Sequence, residues 1–158
     1  MGPASRRLPG AGLITIANRQ RISVDLRHLR RTARLALRAL GVADHELSLA
    51  LVDDRQIRAL NGRYRGVRRR THVLAFPLAG PARVLGEAIV SVETARRQAA
   101  RLGHSLREEL DLLCCHACLH LVGYDDRDGL EARLMHAREM DLLGRLYDRP
   151  PPTLHVAA

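Results

Sequence analysis

Apolar positions change their period several times along the chain, and each change marks an element. Leu13–Ala17 alternates branched and small residues, which predicts a strand. From about Val24 to Leu40 the spacing turns helical. Leu26, Leu29, Ala33, Leu37 and Leu40 fall within about 80° of arc at ~100° per residue. Arg27, Arg30, Arg31, Arg34 and Arg38 gather on the other side, and Gly41 stops the helix. That arginine stripe reads either as a solvated helix face or as a face turned to nucleic acid. Glu46–Val52 is the next strand, and Asp53 or Asp54 caps a short helix through about Asn61. Gly62–Arg70 reads as an arginine-rich loop. Thr71–Phe76 is a third strand closed by Pro77, and about Leu85–Val90 a fourth. Ser91 or Glu93 opens a helix that ends near Leu102 and Gly103.

The last two helices carry clear start signals. Ser105 and Glu108 have capping-box spacing, in which the hydroxyl takes a helix amide and the carboxylate reaches back. That helix runs to about Val122, with Gly123 as its stop. Asp128 and Glu131 repeat the logic for a last helix to about Tyr147. The order β-α-β-α-β-β-α-α-α predicts a single α+β domain. It has a four-stranded mixed sheet covered by helices and a buried central helix. Residues 1–11 read as a flexible leader, 12–148 as the domain and 149–158, with Pro150–Pro152, as a flexible tail.

Length and composition bear this out: 158 residues, 46% apolar, are enough for one core without disulfides. No apolar run approaches the ~20 residues of a membrane span, and none resembles a signal-peptide core. The expectation is a cytoplasmic protein with no membrane partner. The charge changes the picture more. The 26 basic residues are all Arg, against 17 acids, for a net charge of +9. Arginine binds phosphate bidentately, so the excess points to an anionic partner, nucleic acid first. Aromatics are only 3%, which argues against recognition by base stacking on an aromatic platform.

Residues 110–122, LDLLCCHACLHLV, are apolar nearly all round, as befits a core helix. His116 and His120 stand four apart on one face, the spacing at which two imidazoles reach one cation. Gly123 follows, and Asp126 arrives six residues after His120. The pattern H-x-x-x-H-x-x-G-x-x-D has the spacing of zinc signatures in which a glycine turn returns a third ligand to a helical pair. Three protein ligands leave a position open, the catalytic arrangement. The alternative is that the three polar groups merely satisfy one another. Ala117 occupies the place of the glutamate base of H-E-x-x-H proteases, which argues against that chemistry. Cys115 and Cys118 project ~100° and ~200° away from His116 on an α-helix and cannot share its ion. They and Cys114 read as small buried apolar residues.

The segment HACLHLVGYDD (His116–Asp126) resembles the signature of the YbeY family of bacterial endoribonucleases, H-G-x-L-H-L-x-G-Y-D-H. Two further blocks agree. LNGRYRG (Leu60–Gly66) with THVLAFP (Thr71–Pro77) resembles the family's L-N-x-x-Y-R-G and T-D-V-L-S-F-P. LGEAIVS (Leu85–Ser91) resembles its L-G-D-I-x-I-S. The resemblance spans roughly residues 13–147. It implies a small α+β fold and a metal-dependent, zinc-binding single-strand endoribonuclease. Such an enzyme acts on ribosomal RNA, notably the small-subunit 3′ end, and in ribosome quality control, with the ribosome or its proteins as further partners. By the same resemblance His116, His120 and Asp126 are the ligands of one Zn²⁺, or of another divalent metal. Arg65 matches a functionally important arginine, and Arg63, Arg68, Arg69 and Arg70 would hold RNA. Two departures stand out: Asp126 replaces the family's third histidine, and His72 replaces an aspartate, which makes His72 a possible accessory to the site. The competing expectation is a non-catalytic ribosome-assembly factor with a structural metal.

Overall fold

The structure is a computed structural model, and it describes residues 12–65, 73–77 and 83–147. The predicted leader and tail, the arginines Arg68, Arg69 and Arg70, and His72 lie outside those residues. The elements are β1 (Ile14–Asn18), α1 (Leu26–Ala39), β2 (Glu46–Val52), α2 (Asp54–Arg65), β3 (Val73–Pro77), β4 (Val84–Ser91), α3 (Val92–Leu102), α4 (Leu106–Leu121) and α5 (Gly129–Leu146). They form a single α+β domain.

The sheet runs in the order β1-β2-β4-β3. β1, β2 and β4 are parallel, and β3 pairs antiparallel with β4 at the edge. β2 sits inside the parallel part, and Leu49–Val52 is buried at every position, as expected where a strand is covered on both faces. α4 lies at the centre, touching α1, α3, α5 and strands β3 and β4. Its residues Leu110, Leu112, Leu113, Ala117, Leu119 and Leu121 belong to the main core with Leu29 and Leu37 of α1, Val90 of β4 and Leu142 and Leu143 of α5.

Two local differences from the sequence expectation have physical causes. α2 continues through Gly62 to Arg65, where a loop was expected. A glycine in a helix interior costs only about 1 kcal/mol against alanine, so it is a weak breaker. Its start is capped by Asp53: the carboxylate accepts from Gln56 N at 2.8 Å, and Gln56 Oε1 accepts from Asp53 N at 2.9 Å. The buried face of α1 is also turned from the predicted stripe. Thr32 and Ala36 are buried with Leu29, Ala33 and Leu37, whereas Leu26 and Leu40 are only partly so. Small residues there admit α4, and Thr32 Oγ1 donates to Asp111 Oδ1 at 2.7 Å. Arg30 donates to the carbonyl of Ile14 in β1, and Arg34 to that of Gly12 just before it. Two of the five stripe arginines therefore fasten α1 to the first strand and the segment leading into it.

Candidate metal centre

α4 is positioned from its first turn. Ser105 Oγ accepts from Glu108 N and Glu108 Oε1 accepts from Ser105 N, both at 3.1 Å, completing the capping box. Beyond the first turn, Asp111 is fully buried and accepts from His28 Nε2 at 2.8 Å, from Thr32 and from the Tyr147 hydroxyl. From Glu109 to Leu121 every residue is buried except His116 and His120. An otherwise closed helix thus opens towards solvent at two imidazoles, and the His116 side chain is only 12% exposed.

The helix ends in a Schellman turn. Tyr124 N donates to Leu119 O at 2.9 Å and Gly123 N to His120 O at 3.1 Å. Gly123 has φ +107°, a left-handed value that a side chain disfavours. The reversal places the Tyr124 carbonyl 3.0 Å from His120 Nδ1 and returns Asp126 to the histidine pair. One ligand atom from each of His116, His120 and Asp126 lies within 4.8 Å of the others. The two rings meet edge to face, centroids 4.6 Å apart.

The hydrogen bonds decide which nitrogens are free. His120 Nδ1 donates to a carbonyl, which can only accept. His116 Nδ1 faces Glu139 Oε1, a buried carboxylate on α5. With both Nδ1 positions so engaged, neutral rings present both Nε2 atoms as acceptors, and these face each other at 3.1 Å. Two acceptors at that distance call for a shared proton or a cation between them. Burial, then the neighbouring His116, holds His120 below the ordinary histidine range despite Asp126 and the Tyr124 carbonyl, which favours the neutral ring a metal needs. Two imidazole nitrogens and one carboxylate oxygen are a donor set that suits Zn²⁺.

The cysteines take no part. Cys114, Cys115 and Cys118 are buried free thiols. Burial pushes the Cys115 thiol up, and the hydrogen bond with Cys118, together with burial, does so for Cys114. Arg63 and Arg65 stand in the last turn of α2. Among the site neighbours, sequence reasoning missed Glu139. A signal existed: Glu139 falls on the same stripe of α5 as Met135, Leu142 and Leu143, all buried, where an acid needs a reason.

Fold and cluster together define a class: a single-domain α+β protein whose central helix ends in a three-donor group able to hold a metal ion. Comparison with known proteins narrows it. The family model for endoribonuclease YbeY matches residues 15–147. Endoribonuclease YbeY of Aquifex aeolicus is 43% identical over 118 residues, 72% of this chain and 79% of its own length. Those of Pelotomaculum thermopropionicum and Thermobifida fusca are 42% and 38% identical, covering 75% and 82% of this chain and 84% and 91% of theirs. A Thermotoga maritima protein of known solution structure superposes with a TM-score of 0.65 at 26% identity, over 86% of this chain and 90% of that one. The chain belongs to the YbeY family of endoribonucleases.

Proposed function

We propose that this protein is a metal-dependent endoribonuclease that cleaves single-stranded ribosomal RNA during maturation of the small-subunit 3′ end and in ribosome quality control, in the cytoplasm. The observation that carries the reading is the pair of Nε2 atoms facing each other at 3.1 Å beside Asp126, at the only two open positions of the Glu109–Leu121 stretch. Family membership supports the ribonuclease reaction. No helix among the described residues is long and apolar enough to cross a membrane.

In this reading His116, His120 and Asp126 hold one Zn²⁺. A bound divalent cation supplies Lewis acidity for a phosphoryl oxygen or for water. The chain's own groups do the rest. The Tyr124 carbonyl keeps the His120 Nε2 lone pair aimed at the cation. Arg65 neutralises charge developing on the scissile phosphate, and Arg63, Arg68, Arg69 and Arg70 hold the backbone on either side. In the same reading His72 is an accessory donor to the site. Asp126 adds a negative charge where the family pattern has a neutral ring, and carboxylate ligation shifts preference towards harder metals.

The test is cleavage of a single-stranded RNA by chelator-stripped protein, with and without added Zn²⁺ or Mn²⁺. Cleavage restored by metal in the natural chain and absent from His116→Ala supports the proposal. A folded, metal-loaded protein that binds RNA and leaves it intact would establish the competing reading, an assembly factor with a structural metal.

A further inference from the structure

Glu139 is buried at 2% exposure, and only one of its oxygens is used. Oε1 accepts from His116 Nδ1. Oε2 is buried without a hydrogen-bond partner among the described residues. His136 Nδ1 stands 3.7 Å from it, beyond hydrogen-bond reach. A buried carboxylate with an orphaned oxygen is a burden on folding. Met135, Leu142 and Leu143 on the same face show that an apolar side chain would suit the core there. What no apolar residue supplies is an acceptor fixed on Nδ1 of His116. That acceptor keeps the ring proton on Nδ1 and leaves Nε2 as the lone pair aimed at His120 Nε2 and Asp126. His120 receives the equivalent service from a backbone carbonyl, which no side-chain substitution removes. His116 depends on a side chain from another helix.

We propose that Glu139 is a positioning residue of the cation site: through the His116 Nδ1–H bond it fixes the tautomer and orientation of that ligand and raises its affinity for the metal, at the expense of fold stability. The inference rests on the metal-centre reading given under Proposed function. It also explains why a carboxylate persists in the apolar stripe of α5. Carboxylate partners of ligating histidines are worth 10–100-fold in metal affinity.

Glu139→Gln keeps the shape and replaces the carboxylate by an amide that can donate to Nδ1 as readily as accept from it. Two quantities are measured on the full chain: Zn²⁺ affinity by competition with a chromogenic chelator, and the unfolding temperature of the metal-free protein. Affinity lowered 10–100-fold with an unchanged or higher metal-free unfolding temperature supports the proposal. Affinity equal to that of the natural chain overturns it, and so does an affinity loss accompanied by a lower metal-free unfolding temperature, which is what a purely structural role would give. Failure of the natural chain itself to bind Zn²⁺ would instead overturn the metal-centre reading, which keeps the two failures apart.

Discussion

His116 and His120 differ in what they cost the fold, because removing the His116 ring also strands the buried Glu139 carboxylate, whereas His120 leaves only a backbone carbonyl. Both sit at the margin of the core, so removing either ring leaves a partly solvated gap, not a sealed cavity. His120→Ala is therefore expected to abolish Zn²⁺ binding while lowering stability by only about 1 kcal/mol, the centre of the range for point substitutions. Equilibrium dialysis and urea unfolding of the metal-free chain read the two effects separately. Arg65→Ala is expected to lower kcat on single-stranded RNA roughly 10²–10³-fold, the usual loss for a group that stabilises transition-state charge. Unaltered turnover at saturating RNA would remove Arg65 from the reaction. The histidine pair, the glycine and Asp126 were legible because a helix and one turn bring them together within eleven residues. Glu139 was not, because it lies 23 residues from His116 and meets it only through the packing of α5 on α4.

At the scale of elements, the best-read parts were those with local stereochemical signals. The Ser105–Glu108 box and the left-handed Gly123 bracket α4 as predicted. The last helix begins one residue after Asp128, whose carboxylate accepts from Glu131 N at 2.8 Å. What depends on neighbours was read less well. The buried face of α1 turned because α4 offers Asp111 to Thr32 and His28, and α2 outran its glycine. Gly123→Ala is expected to cost about 1–2 kcal/mol, the left-handed penalty for a residue with Cβ. It should also weaken Zn²⁺ binding, because the same turn sets the Tyr124 carbonyl and Asp126. An unchanged midpoint in urea would contradict this.

A second element junction responds to acid. Burial alone would raise the Asp54 carboxyl, but bonds from Ser91, Thr94 and Arg97 outweigh it and bring the value to about 2 from the ordinary 3.8. A depressed carboxylate stabilises the folded state above its unfolded value and loses that contribution as pH falls through its folded one. After solvent screening at the exposed Arg97, roughly 1 kcal/mol of stability is expected to disappear between about pH 4 and 2, and Asp54→Asn should flatten that part of the profile.

For the whole molecule, the net charge of +9 carried entirely by Arg is the feature that bears on partners. Not all of it is free: Arg30 holds β1 and Arg34 the Gly12 carbonyl before it, Arg97 pairs with Asp54 and Arg138 with Asp141. The arginines assigned to RNA make a prediction in salt. With four phosphate contacts from Arg63, Arg68, Arg69 and Arg70, log K for single-stranded RNA should fall with log salt at a slope near −3, at ~0.7 per phosphate. Each Arg→Ala change should reduce the slope by about 0.7. Slopes indifferent to these changes would place the RNA elsewhere on the surface. Composition indicated an anionic partner and a one-core domain. It could not indicate which arginines the fold spends on its own carbonyls and carboxylates, since that depends on tertiary neighbours.

In the proposed reading His116, His120 and Asp126 form one metal centre. Elemental mass spectrometry of the purified natural chain, His116→Ala and Asp126→Ala, each prepared without chelator, tests it most directly. About one divalent metal per chain is expected in the natural protein, as a single three-ligand site requires, and loss from both variants. Metal absent from the natural chain, or retained at full stoichiometry by His116→Ala, would contradict it.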